Sequence, residues 1–255
     1  MARGHKDKVA VITGASAGIG QAYAKRLAQD GCHIVAADLA PATETEKLVT
    51  AEGRKFLSCI CDVSSQDSVH KLAEDVEKAF GRCDILVNNA GIYPRKKFLE
   101  MTYADWRQVM GINLDAAFFT SKAFVPGMKE RNWGRIVNMS SSTFATVVPD
   151  YVHYITSKGG VVGFTRALAT ELGPFGITVN AIAPSLTRSQ GTLSQTPRAG
   201  NNSMDAEFEA LAQRQSIKRP EVPDDLVGAL SFLTSDDAAF ITAQTLYVDG
   251  GFVRV

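Results

Sequence analysis

Tyr154 and Lys158 stand one helical turn apart, so a helix through both projects them from one face. A free phenol, with a pKa of about 10, is a poor base at neutral pH. An ammonium beside it stabilises the phenolate and draws that pKa toward the working range, the chemistry of a general acid/base acting on an alcohol or carbonyl oxygen. Ser141 offers a hydroxyl that could hydrogen-bond the same oxygen. The tyrosine and lysine spacing recurs at Tyr93 and Lys97, but Pro94 and the preceding Gly91 make that copy a loop. Tyr151 has Ile155 one turn on, so context selects Tyr154. Tyr93, Phe144 and Tyr151 are candidate walls of an apolar substrate pocket, and each serves equally as ordinary core.

A second set of residues suits a phosphate-bearing ligand. Thr13-Gly14-Ala15-Ser16-Ala17-Gly18-Ile19-Gly20 follows the β-branched run Val9–Ile12 and opens a helical stretch. Backbone without Cβ atoms turns sharply there and can lie against a pyrophosphate, which then faces a helix N-terminus. A tight turn alone would use the same glycines; their place between first strand and first helix favours a dinucleotide. Asp38, at the end of the second strand, is placed to accept from adenosine ribose hydroxyls and to repel a 2′-phosphate. Leu39 after it and Ala17 before Gly18 offer no cation to such a phosphate, so the three positions agree on NAD over NADP. The alternative for Asp38 is a cap on the next helix. Asp62 and Val63 follow the third strand, where they could meet the adenine amino group and ring; Asp62 also reads as a turn residue. Asn88-Asn89-Ala90-Gly91 ends the fourth strand, where ligands of open α/β sheets bind, with an asparagine turn as the plainer reading.

These groups need a scaffold that delivers strand ends to one edge. Short β-branched runs alternate with stretches of helical period along the whole chain, closed by Gly31, Gly53 and Gly81. About seven strands, most separated by helices, predict a Rossmann-like α/β fold, a doubly wound parallel sheet between two helical layers. No linker or shift in composition divides residues 1–255, which predicts a single dinucleotide-binding catalytic domain. Ser185–Asp205 is polar and without clear period, the expected start of a substrate lid over about 185–215 that continues into a helix near Ala206–Gln213.

In that order and spacing, the Thr13–Gly20 loop, Asn88–Gly91, Asn113, Ser141 and the Tyr154–Lys158 pair resemble the short-chain dehydrogenase/reductase family over essentially the whole chain. The resemblance implies Tyr154 as general acid/base. It implies that Lys158 binds the nicotinamide ribose and lowers the tyrosine pKa, and that Ser141 orients the substrate oxygen. Asn113 would hold a helix kink and the water of a proton relay, Asn89 would support the cofactor site, and Ile182–Ser189 would cover the nicotinamide, with Pro184, Ser185, Thr187 and Ser189 in contact. Ser185 replaces the family's glycine after Pro184, and Ser189 stands where threonine is usual. Several stretches are similar to family members that oxidise an alcohol carbon attached to an aromatic ring. The resemblance also suggests a homotetramer built on the long helices and the C-terminal segment.

The leading expectation is reversible NAD-dependent oxidation of a secondary or benzylic alcohol. On the same scaffold, a 3-ketoacyl thioester reductase or a sugar or steroid dehydrogenase is the alternative; a non-catalytic NAD-binding regulator would have no need of a lysine-activated phenol. Arg95-Lys96-Lys97 reads as solvated surface rather than a carrier-protein dock. Twenty-seven basic and 27 acidic residues leave zero formal charge, with no long-range field for nucleic acid or an anionic membrane. The longest uncharged runs, Val9–Ala24 and Leu172–Thr187, are too short and too broken to cross a bilayer. Nor does an h-region follow the basic N-terminus. Cys32, Cys59, Cys61 and Cys83 fall in apolar strand-like segments without metal-ligand spacing, which suits reduced core thiols in the cytoplasm. His5, His33, His70 and His153 show no ligand spacing either, so no metal is expected; His153 is expected on the helix surface.

Overall fold

The computed structural model of the chain describes residues 3–146, 148–197 and 200–254. Seven strands, β1 (Val9–Thr13), β2 (His33–Asp38), β3 (Phe56–Ile60), β4 (Ile85–Asn88), β5 (Gly134–Met139), β6 (Ile177–Pro184) and β7 (Thr245–Val248), pair in parallel in the order β3-β2-β1-β4-β5-β6-β7. β1, β5 and β6 are buried along their whole length, as parallel strands between two helical layers must be. Successive residues serve opposite layers. Val11, Val35, Leu86 and Ile136 enter one core cluster, while Ile12, Ile34, Ile85 and Val137 enter the other. The chain runs outward from β1 to β3 and then returns to β4 on the other side. That reversal opens a crevice at the carboxyl ends of β1 and β4.

Around the sheet lie α1 (Gly18–Gln29), α2 (Thr43–Ala51), α3 (Gln66–Phe80), α4 (Tyr103–Met110), α5 (Ala116–Glu130), α6 (Val152–Leu172), α7 (Gln190–Leu193), α8 (Met204–Ala212) and α9 (Asp224–Thr234). Local chemistry sets the ends of α3: the Ser65 hydroxyl accepts from Ser68 N–H, and Gly81 closes the helix in the left-handed conformation. Between these ends Val69, Leu72 and Val76 form its buried stripe.

Between α4 and α5 the chain makes a π-helical turn over Gly111–Asp115, which places Asn113 in a local widening of the helix, where the family resemblance implied a kink. Within the expected lid, Ser189 caps the short α7 and Ser203 caps α8; Arg198 and Ala199 lie outside the described residues. His153 is a correction. It is fully buried, because α6 packs against α4 as well as the sheet, and its Nδ1 accepts the Tyr154 N–H at 2.9 Å. All four cysteines are buried free thiols, Cys59 within β3 and the others beside strand ends. Among the described residues no helix is long and apolar enough to cross a membrane.

Candidate active site

Ser141 follows the end of β5, and Tyr154 and Lys158 lie in the first turns of α6. All three line one cavity, together with Tyr93, Tyr151, Leu186 and Leu211. The Tyr93 ring meets Tyr154 edge-on at 6.4 Å between centroids, and the tilted Tyr151 ring lies at 5.3 Å. Phe144 is not brought to this wall: it is half exposed and its ring sits over Gly159, where an added Cβ would come within 2.8 Å of it. Burial pushes the Tyr154 phenol up to about 12, against the pull of a hydrogen bond with Ser141. Burial likewise pushes Lys158 down to about 8. Lys158 Nζ is turned to the Met139 carbonyl at 2.7 Å and stands 5.8 Å from the Tyr154 ring centroid.

Asn113 lies in the π-helical turn, buried behind this group. Its Oδ1 accepts from Ile92 N–H at 2.8 Å, while Nδ2 donates to Ile92 O at 2.8 Å and Ser157 Oγ at 3.2 Å. The wider turn thus points a polar side chain inward and ties the loop after β4 to α6. A Cβ on Gly91 would come within 3.2 Å of Asn113 Oδ1 and 3.5 Å of Lys158 Nζ, so the loop passes close to both.

A neighbouring open cleft is lined by Gly14, Ser16, Gly18, Ile19, Gly20, Asp38, Asp62, Val63, Asn89, Ala90 and Gly91. It adjoins the first cavity through Ile19, Asn89, Gly91, Tyr93 and Ser189, which line both. The glycine loop is tightly built: a Cβ on Gly20 would stand 2.1 Å from the Gly14 carbonyl oxygen. Thr13 Oγ1 accepts from the N–H groups of Asn89 and Ala90, both at 3.0 Å. Asn89 Nδ2 in turn donates to the carbonyls of Thr13 at 2.9 Å and Gly14 at 3.0 Å. Asp38 accepts from Ser16 N–H at 2.9 Å and Leu39 N–H at 2.7 Å; α2 begins after Ala42, so Asp38 does not cap it. Asp62 makes the expected turn, accepting from the Ser64 N–H at 2.9 Å and hydroxyl at 2.7 Å. These residues fit a dinucleotide on one structural ground in particular. Ala17 provides no side-chain cap for α1, and its first turn holds no acid, leaving its N–H groups and positive dipole end to an anion.

The end of β6 and the segment after it wall the first cavity, and Ser189 also lines the cleft. Pro184, Ser185, Thr187 and Ser189 all line the first cavity, and Ser189 Cβ lies 3.6 Å from the position of a Cβ on Gly18. Among the described residues no group of three or more His, Cys, Asp or Glu is placed to hold a metal ion.

A family model described as enoyl-(acyl carrier protein) reductase matches residues 14–253. A crystal structure assigned as a short-chain alcohol dehydrogenase of Sinorhizobium meliloti superposes with a TM-score of 0.90 at 33% identity, covering 97% of this chain and 96% of its own. The chain belongs to the short-chain dehydrogenase/reductase family. It is 38% identical to the 2-dehydro-3-deoxy-D-gluconate 5-dehydrogenase of Escherichia coli, covering 97% of this chain and 96% of that one. It is also 37% identical to a subunit of the (2S)-[(R)-hydroxy(phenyl)methyl]succinyl-CoA dehydrogenase of Thauera aromatica, covering 97% of each. Identity with the 3-oxoacyl-[acyl-carrier-protein] reductase of Haemophilus influenzae is 34%, covering 96% of this chain and 98% of that one. As a short-chain dehydrogenase/reductase, the protein is an oxidoreductase that uses a nicotinamide cofactor, NAD or NADP.

Two residues of this short-chain dehydrogenase/reductase gain a place that sequence reasoning missed. Arg95 is not solvated surface: it donates to Tyr151 Oη at 3.2 Å, Thr196 O at 2.9 Å and Glu207 Oε1 at 3.1 Å, joining the tyrosine wall to the lid segment. Lys97 is exposed as expected, and Lys96 pairs with Asp105. Glu221, buried just before α9, accepts from Ser185 N–H at 3.2 Å and from the Thr187 hydroxyl. Neither lies in a periodic or motif-like pattern; the one available signal is an acid held between Pro220 and Pro223.

Proposed function

We propose that this enzyme reversibly oxidises a secondary or benzylic alcohol to its carbonyl with NAD, and that Tyr154 is the general acid/base. The observation that carries the reading is the convergence of Ser141, Tyr154 and Lys158 on one cavity beside the uncapped start of α1. Gly14, Ser16, Gly18, Ile19 and Gly20 would hold the pyrophosphate, Asp38 the adenosine ribose, and Asp62 and Val63 the adenine. Asn89, Ala90, Gly91, Lys158 and the Pro184–Ser189 segment would hold the nicotinamide half. NAD, when bound, supplies the acceptor for the hydride released from the carbinol carbon. Ser141 donates a hydrogen bond to the substrate oxygen and fixes it against Tyr154. Tyr154, as the phenolate favoured by the Lys158 ammonium and the positive charge an oxidised nicotinamide would add, takes the hydroxyl proton as the carbonyl forms and returns it in the reverse direction. Lys158 contributes positive charge beside that proton transfer, and Asn113 holds the loop and helix that frame it.

Tyr93, Tyr151, Leu186 and Leu211 give the cavity an aromatic and aliphatic wall, which supports a substrate with an apolar ring next to the reacting carbon. The name of the Thauera aromatica relative, which acts on a hydroxy(phenyl)methyl compound, agrees. The second reading is a 3-ketoacyl thioester reductase or sugar dehydrogenase, favoured by the printed activities of the other relatives. One panel decides: NADH formation from aromatic, aliphatic, sugar-acid and hydroxyacyl thioester alcohols. The proposal expects the highest kcat/KM on an aryl carbinol; preference for a thioester or sugar acid overturns it.

The whole chain is read as one catalytic domain with a lid over about 185–215. Exposed Phe98, Leu99, Tyr103 and Phe118 near α4 and α5, with Phe232 in α9 and Phe240 after it, put large apolar side chains on the surface, which suits a homotetramer. The four free thiols suit a reducing cytoplasm.

A further inference from the structure

We infer that Glu221 is a positioning residue: it fixes the Pro184–Ser189 strap across the nicotinamide end of the cleft and so sets how tightly the dinucleotide is held. The inference rests on the reading of that cleft as a NAD site.

Three bonds from one residue meet three residues of the strap. Both carboxyl oxygens are used, Oε2 by Ser185 N–H at 3.2 Å and Oε1 by the Thr187 hydroxyl. The Glu221 backbone carbonyl accepts Arg188 N–H at 2.7 Å, and Thr187 and Glu221 form an isolated parallel bridge. Glu221 is 5% exposed and Thr187 2%, so water does not compete for these donors. The strap residues themselves wall the cavity. Ser185 lines it with a buried hydroxyl that has no hydrogen-bond partner among the described residues. At Ser185 the family's glycine is absent, and the carboxylate holds the N–H of that very residue. Glu221 thereby couples the strap to the start of α9, where Arg219 is bonded to Asp225.

The charge on Glu221 is finely held. Burial pushes its carboxyl up to about 7, the hydrogen bonds from Thr187 and Ser185 pull it down, and Asp225 and Asp249 add to the rise. Tyr23 of α1 and Arg219 also feel its charge. Above pH 7 the carboxylate offers two full acceptors; below it, a proton takes one of them and the strap loosens. Glutamine keeps the size but replaces one acceptor by an NH₂ donor facing the strap's own donors.

The test is NADH fluorescence titration of the full chain at about pH 8 and pH 6. The wild type is expected to bind more tightly at the higher pH. Glu221→Gln is expected to raise the NADH Kd by about tenfold at pH 8 and to remove the pH dependence. If that variant does not fold by circular dichroism, Glu221→Asp, which keeps the charge but draws it back from the strap, reads the same contact, with a rise of about threefold. Unchanged Kd in the folded variant overturns the inference, as does a lowered melting temperature with Kd unmoved, since that would mark a merely structural contact. A wild type that binds neither NADH nor NADPH would instead overturn the cofactor reading, and this inference with it.

Discussion

Replacing Asp38 by Asn tests whether one carboxylate sets the coenzyme preference. The side chain joins the glycine loop to the end of β2 through Ser16 N–H and Leu39 N–H. An asparagine oxygen keeps one of these bonds, and the loss of the other weakens NAD and NADP alike, so it cancels in their ratio. What does not cancel is repulsion of a 2′-phosphate, with the loss of an acceptor for the ribose hydroxyl of NAD moving the ratio the same way. Two unit charges about 4 Å apart interact by about 1 kcal/mol in water and about 4 kcal/mol at an effective dielectric of 20. Asp38 is half-buried at the rim of an open cleft, so roughly 2 kcal/mol is expected, or ~30-fold in the ratio. The assay is kcat/KM with NADP relative to NAD, for wild type and Asp38→Asn, at low and high salt. The ratio should rise about 30-fold in the variant, and by less at high salt, where exposed charges are screened. A ratio that does not move, or a wild type that already prefers NADP, refutes the reasoning.

Two further outcomes follow from the same geometry. Burial lowers Lys158 from its ordinary 10.5 to about 8. Between those values the unfolded chain holds a proton that the folded chain has shed, so stability rises with pH. The Tyr154 phenol, raised to about 12, gives the opposite slope only above pH 10. Urea melts from pH 7.5 to 10 should therefore show wild type gaining about 2–3 kcal/mol relative to Lys158→Met; parallel curves would refute the burial argument. Gly20→Ala places a methyl 2.1 Å from the Gly14 carbonyl and 2.7 Å from Asn89 Nδ2, which the loop must move to admit. NADH binding should fall by more than about tenfold, and an unchanged titration would show that the loop does not need its present path.

What the sequence disclosed is what local rules control. Strand alternation, the glycine loop and the spacing of Tyr154 and Lys158 are short-range patterns, and each survives into the fold. The π-helical turn at Asn113 was legible only through the family resemblance, which implied a kink there; the apolar period did not show it, because an extra residue in a helix leaves that period almost intact. His153 looked like surface because burial against α4 is a tertiary fact, set by a helix packed on two sides. Arg95 and Lys97 sit in one basic run yet part company, since only Arg95 meets acceptors from Thr196 and Glu207, far along the chain. Phe144 failed for a related reason: Gly159 offers its ring a flat seat away from the cavity. The phenol of Tyr154 shows the limit of motif reasoning most clearly. Spacing brings an ammonium near it, but burial and the Met139 carbonyl decide where that charge points.

The central claim is that Tyr154 moves the proton. Tyr154→Phe removes one oxygen from a ring held between Tyr93 and Tyr151 and leaves the cleft around Gly14–Gly20 untouched. With the best alcohol from the substrate panel, single-turnover NADH formation should fall by at least about a thousandfold while the NADH Kd stays within about twofold of wild type. Turnover retained within tenfold would contradict the account.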